Sequence, residues 1–144
     1  MKNFKIYLVV AMIGLTALTF TSCKKGEDDP GLSFRSRKAR FTNTWVLTKY
    51  EKNGAAQDIS GTTYTYDVFN NGSLTRIVDG TVFGFATRTE KNGSWEFANN
   101  KEDVKITIDN NAEIYNIQRL ATDELWLKML KDGDTHIYYF ESKQ

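Results

Sequence analysis

The sequence predicts an all-β domain, a small antiparallel up-and-down barrel of eight or nine strands, on three observations. Apolar side chains recur at every second position in short runs such as Trp95 and Phe97, Ile106 and Ile108, or Leu125 and Leu127, so each strand has one dry face and one wet face. Nine such segments fit between Thr44 and Glu141, about one per eleven residues, the spacing of sandwiches and barrels. Asn71-Gly72, Asp79-Gly80, Asn92-Gly93 and Asp132-Gly133 lie between the runs and supply the left-handed backbone angles of tight hairpins. Consecutive hairpins make a meander, whose dry face must close into a barrel or pack on a second sheet. No helical periodicity of useful length follows Phe41, which excludes parallel strands joined by crossover helices.

Residues 1–22 read as an export signal. Lys2 and Lys5 form a basic start, and Ile6 to Phe20 is a 15-residue apolar run, short of the roughly 20 residues that span a bilayer. Thr21-Ser22 then sets small residues before Cys23, the single cysteine. This arrangement resembles a bacterial lipobox, although Phe20 stands where an aliphatic residue is more common. The resemblance implies cleavage before Cys23, a diacylglyceryl group on its sulfur and a further acyl chain, as in palmitate-modified lipoproteins. Two or more chains anchor a protein stably, at about 0.8 kcal/mol per buried CH2. The alternative is a secreted protein with one free thiol. No second cysteine exists for a disulfide. Removing 1–22 takes away two lysines and no acid, leaving 17 basic and 18 acidic side chains, a formal charge of −1 with the amine acylated. That balance gives no support to nucleic-acid binding, which needs a basic footprint.

Residues 23–41 read as the lipidated cysteine, a polar tether and a possible short helix, and 42–144 as the barrel domain. The tether from Lys24 to Gly31 is polar and holds the only proline, Pro30. Its Glu27-Asp28-Asp29 run resembles signals that send lipoproteins to the outer surface of the outer membrane; a plain solvated spacer is the other reading. Leu32 to Phe41 carries Phe34 and Phe41 with Arg35, Arg37, Lys38 and Arg40 between them. It fits either a short amphipathic helix or a basic solvated face beside a strand.

The strand segments are 44–50, 63–69, 74–78, 81–88, 94–97, 104–108, 113–120, 125–130 and 135–141. Trp45 with Leu47, Trp95 with Phe97, Ile106 with Ile108 and Leu125 with Leu127 are expected to face inward. Trp126 alternates with two leucines and is expected to face outward. In 63–69 either Tyr64, Tyr66 and Val68 or Phe69 takes the inner side. Ile114, Ile117 and Leu120 share no period-2 face, which predicts a bulge in 113–120.

Thr44-Trp45, the hairpin Phe69-Asn70-Asn71-Gly72-Ser73-Leu74-Thr75, Gly93-Ser94-Trp95, and Ile117 to Leu127 with Asp123-Glu124-Leu125-Trp126-Leu127 together resemble the lipocalin-like domain of small envelope lipoproteins common in the Bacteroidetes group. The resemblance spans about residues 42–142. It implies a calycin-like barrel in the cell envelope, anchored on the outer membrane at its periplasmic or outer face, with no established catalytic residues. Asn43 stands where a glycine opens the first strand of true lipocalins.

Candidate chemistry is sparse. His136, the sole histidine, sits within a strand near Tyr138 and Tyr139, with no local serine and orienting acid to make a nucleophile. Asp132-Gly133-Asp134 and Asp109-Asn110-Asn111 offer oxygens but read as turns, lacking the further carboxylates of a calcium loop. Asn71-Gly72-Ser73 and Asn92-Gly93-Ser94 fit the glycosylation pattern and also read as turns. Glu96, between Trp95 and Phe97, is expected to face water. No metal, no cofactor and no catalysis are therefore expected. The expected protein is monomeric, held to the membrane by its lipid anchor, with no nucleic-acid partner. Two functions remain open: a barrel that takes a small apolar or amphipathic ligand, and an envelope interaction module that contacts a protein or glycan through exposed aromatics. For the first, the expected site is a small apolar mouth lined by Tyr64, Tyr66, Phe83 and Phe85, admitting a short acyl chain or a single ring. Phe83 and Phe85 close the mouth if they point inward, and Gly84 and Ala86 leave room if they do.

Overall fold

A computed structural model describes residues 34–143. The export signal, Cys23 and the tether lie outside the described residues. One short helix, α1 (Arg37–Phe41), precedes nine strands: β1 (Thr44–Lys52), β2 (Ala55–Gln57), β3 (Thr62–Val68), β4 (Ser73–Val82), β5 (Phe85–Ala98), β6 (Asp103–Ile108), β7 (Asn111–Leu120), β8 (Glu124–Lys131) and β9 (Asp134–Ser142). Each strand pairs antiparallel with its neighbour in the order β2-β1-β3-β4-β5-β6-β7-β8-β9. Pairing of β1 with β9, from Trp45 beside Ser142 to Lys52 beside His136, closes the sheet. The result is the expected up-and-down barrel of eight strands, with β2 an extra strand folded onto the end of β1.

Alternation set the strands where it could. Trp45, Trp95, Ile106, Leu125 and Leu127 are buried, and Leu47, Phe97 and Ile108 pack partly buried against them. Tyr64, Tyr66 and Val68 take the inner phase of β3, while Phe69 turns out to solvent. The bulge in β7 falls between Ile117 and Arg119. A second bulge, between Leu47 and Lys49, shifts the phase of β1 so that Tyr50 follows Leu47 on the inner side.

Two of the four expected turns are not turns. Asp79-Gly80 lies inside β4 and Asn92-Gly93 inside β5; the chain reverses at Phe83-Gly84. Neither Gly80 nor Gly93 has a positive φ. Gly93 is required for closeness: a Cβ there would lie 2.3 Å from the Thr107 carbonyl oxygen and 2.9 Å from Ile108 Cγ1. Segments 81–88 and 94–97 are consequently not two strands, and the count of nine is made up by β2, which follows an Asn53-Gly54 turn with φ of 52° and 79°.

The hairpin ends divide the barrel into two poles. At one lie α1 and the turns 69–72, 99–102 and 121–123; at the other lie the turns at Asn53-Gly54, Phe83-Gly84, Asp109-Asn110 and Asp132-Gly133. The described part of segment 32–41 holds α1, with the Ser36 hydroxyl accepting from the Ala39 N–H at 3.1 Å as N-cap. Only one of its two phenylalanines is used: Phe34 is fully exposed, whereas Phe41 plugs the first pole, its ring 4.7 Å from Trp95 and 5.6 Å from Phe97. The Trp45 indole N–H donates to the Phe41 carbonyl at 2.9 Å, and that of Trp95 to the Phe69 carbonyl at 2.9 Å. Both tryptophans thus fill the core and tie down a connection at the closed pole.

Candidate functional site

Inside the barrel is a cavity of about 300 Å³, partly open toward the second pole. Its floor is apolar: Phe41, Trp45, Val68, Leu125 and Phe140, with Leu47, Ile106 and Leu127 above them. Its upper wall is hydroxylic and charged, formed by Tyr50, Tyr64, Tyr66, Tyr115, Tyr138, Arg76 and Glu113, with Ile59 reaching in from the loop before β3. The gradient follows from the inner phase of each strand. In β4 that phase runs Leu74, Arg76, Val78, and in β7 it runs Glu113, Tyr115, Ile117 before the bulge.

Hydrogen bonds fix the upper wall. The Tyr115 hydroxyl donates to Glu113 Oε2 at 2.6 Å, and the Lys131 ammonium reaches Oε1 at 2.9 Å. The Tyr115 bond first, then Lys131 and the charge of Arg76, hold the Glu113 carboxyl below its ordinary 4.5. Burial raises the Tyr115 hydroxyl far above its ordinary value, and the bond to Glu113 adds to this. Burial also pushes Tyr138 up to about 12. Tyr50, Tyr138 and His136 form a parallel stack, with Tyr50 to Tyr138 centroids 5.0 Å apart and the Tyr50 hydroxyl 2.7 Å from His136 Nδ1. His136 is thus satisfied within its strand by the Tyr50 hydroxyl. Among the described residues, no three His, Cys, Asp or Glu side chains converge to hold a metal ion.

Of the residues expected at the mouth, Tyr64 and Tyr66 line the cavity. Phe83 and Phe85 are elsewhere, at the tip of the β4–β5 hairpin, 96% and 76% exposed. The reason is register. β3 reaches only to Gly80 on β4, and β6 only to Gly93 on β5, so residues 85–92 of β5 have no β6 beside them and the tip 81–86 is a two-stranded ribbon that projects past the barrel. Phe85 keeps the phase of Trp95 but has no barrel around it. Cys23 lies outside the described residues.

Trp126 faces outward as expected, yet it is not free surface. Tyr139 packs on it at 5.3 Å and the Arg119 guanidinium lies 5.4 Å from its centroid. The most exposed aromatics of the barrel are instead Phe83 and Phe85. Glu96 faces water and pairs with Lys105 at 2.9 Å.

Scans against protein-family models and against curated proteins return no match. Among solved structures the chain is similar to japanin from Rhipicephalus appendiculatus bound to cholesterol, at 17% identity over 75% of this chain and 79% of that one, with a TM-score of 0.48. Among the described residues no helix is long and apolar enough to cross a membrane.

Proposed function

We propose that the barrel is a non-catalytic binding module that takes one small apolar or amphipathic molecule into its cavity, on an envelope lipoprotein anchored through Cys23. The observation that carries the binding is the cavity itself: about 300 Å³, apolar below and hydroxylic above, at the small end of ligand pockets. Eight strands are just wide enough to hold one small ligand. The anchor is supported by Lys2, Lys5, the apolar run to Phe20 and Thr21-Ser22-Cys23.

Titration of the protein with an environment-sensitive fluorescent fatty acid tests the binding. Saturable uptake is expected, weakened at least tenfold by Leu127→Phe, which narrows the cavity. Uptake by the folded protein that ignores this substitution, or no uptake at all, contradicts it. Replacement of Cys23 by alanine is expected to release the protein from the membrane fraction, and unchanged retention contradicts the anchor. The second reading, an interaction module, is favoured by the projecting Val82, Phe83 and Phe85, the first 52% exposed and the two phenylalanines more so.

A further inference from the structure

Arg76 is the one group of the cavity that a purely apolar ligand leaves unexplained. It stands beside Tyr66 in the inner phase of β4, half-buried on the cavity wall. Its Nε is shut off from water and has no hydrogen-bond partner. The other inward cations near the mouth are matched: Lys52 with Asp134 at 2.6 Å, Lys131 with Glu113 at 2.9 Å, and Lys91 with Asp109. Glu113 is the acid nearest in role, but its two oxygens are held by Tyr115 and Lys131. Among the described residues Arg76 makes no direct ion pair; the Glu113 charge and the Tyr66 hydroxyl reach it, yet its buried Nε keeps no partner, and a cationic nitrogen withdrawn from water in this way favours an arriving anion.

We infer that Arg76 receives the anionic head of the ligand, so that the cavity selects a small carboxylate with an apolar tail. This rests on the reading that the cavity binds a ligand at all. The planar guanidinium fork matches a carboxylate through parallel N–H···O bonds, and the Tyr66 hydroxyl stands next to it on the same wall. Beneath them, Leu47, Leu127 and Phe140 accept the tail. The volume of about 300 Å³ equals about ten water volumes, which sets a ligand on the order of ten non-hydrogen atoms.

Octanoate, octanol and octylamine share one tail and differ in charge, and calorimetric titration of each into the full-length protein separates the outcomes. Octanoate is expected to bind roughly 10- to 100-fold more tightly than octanol, with octylamine weakest. Arg76→Gln is expected to abolish the preference for octanoate over octanol. If octanoate binds no better than octanol, or octylamine binds best because Glu113 governs the site, the inference is overturned and the apolar cavity stands. If none of the three binds, both fall. The comparison on the wild-type protein needs no variant, so a poorly folded Arg76→Gln leaves the decision intact.

Discussion

Trp45 and Trp95 hold the closed pole by volume and by their indole N–H groups, so two substitutions separate the contributions. Truncation of either to alanine is expected to cost about 3 to 5 kcal/mol as a large-to-small core change. Trp45→Phe keeps most of the ring and leaves the Phe41 carbonyl without its donor, at a cost of about 1 to 3 kcal/mol. Trp126→Ala, on the outer face against Tyr139, is expected to cost about 1 kcal/mol. Urea denaturation reads all of these, and equal losses at the three tryptophans contradict the assignment of faces. The tyrosines of the upper wall give a second test. Tyr138 keeps its proton more tightly folded, to about 12, than at its ordinary 10.0. The stability this supplies is complete below pH 10 and lost as pH rises through that window. Tyrosinate absorbance from Tyr138 and Tyr115 is expected only as the barrel unfolds; their ionisation near pH 10 in a folded barrel contradicts it.

Strand phases were legible wherever bulky apolar residues alternated, as in Trp95 and Phe97 or Leu125 and Leu127, because burial on one face is what writes that pattern. The bulge of β7 was legible for the same reason, since its apolar residues break phase. Hairpin positions were less so. Asn-Gly and Asp-Gly favour tight turns, but a glycine is also needed where backbone comes close, and local chemistry does not distinguish the two. The true turn carries Phe83 at a φ of 51°, an angle that a bulky residue adopts only under constraint. No turn rule finds it. Two glycines test the corrected register. Gly93→Ala, which drives a methyl against the Thr107 carbonyl, is expected to destabilise by about 1 to 3 kcal/mol. Gly80→Ala meets nothing nearer than 3.6 Å and has no positive φ, so it is expected to be neutral or stabilising by about 0.4 to 1 kcal/mol. Thermal denaturation compares them, and similar losses at both would return Gly80 and Gly93 to hairpin turns.

At the scale of the whole molecule, closure of β1 on β9 gives the chain an interior with a polarity gradient, apolar at the plugged pole and polar at the mouth. Half of the expected mouth was legible: Tyr64 and Tyr66 follow from alternation in β3. Arg76, Glu113 and Tyr115 were missed because polar residues in an inner phase look, in sequence, like residues of the wet face. The signal that would have found them is continuation of phase, from Leu74 to Arg76 and from Ile117 back to Tyr115 and Glu113. Phe83 and Phe85 were misplaced because alternation gives a side but not where the barrel ends. The claim on which the account turns is that the ligand enters this interior, and methyl nuclear magnetic resonance during titration with a short fatty acid tests it most directly. Leu47, Ile106 and Leu127 face the cavity, while Ile114 and Leu130 are 58% and 73% exposed on the outside. Saturable shifts at Leu47, Ile106 and Leu127, with Ile114 and Leu130 unmoved, are the predicted result. Shifts confined to Ile114, Leu130 or the Val82 hairpin tip, with the interior methyls silent, would contradict it.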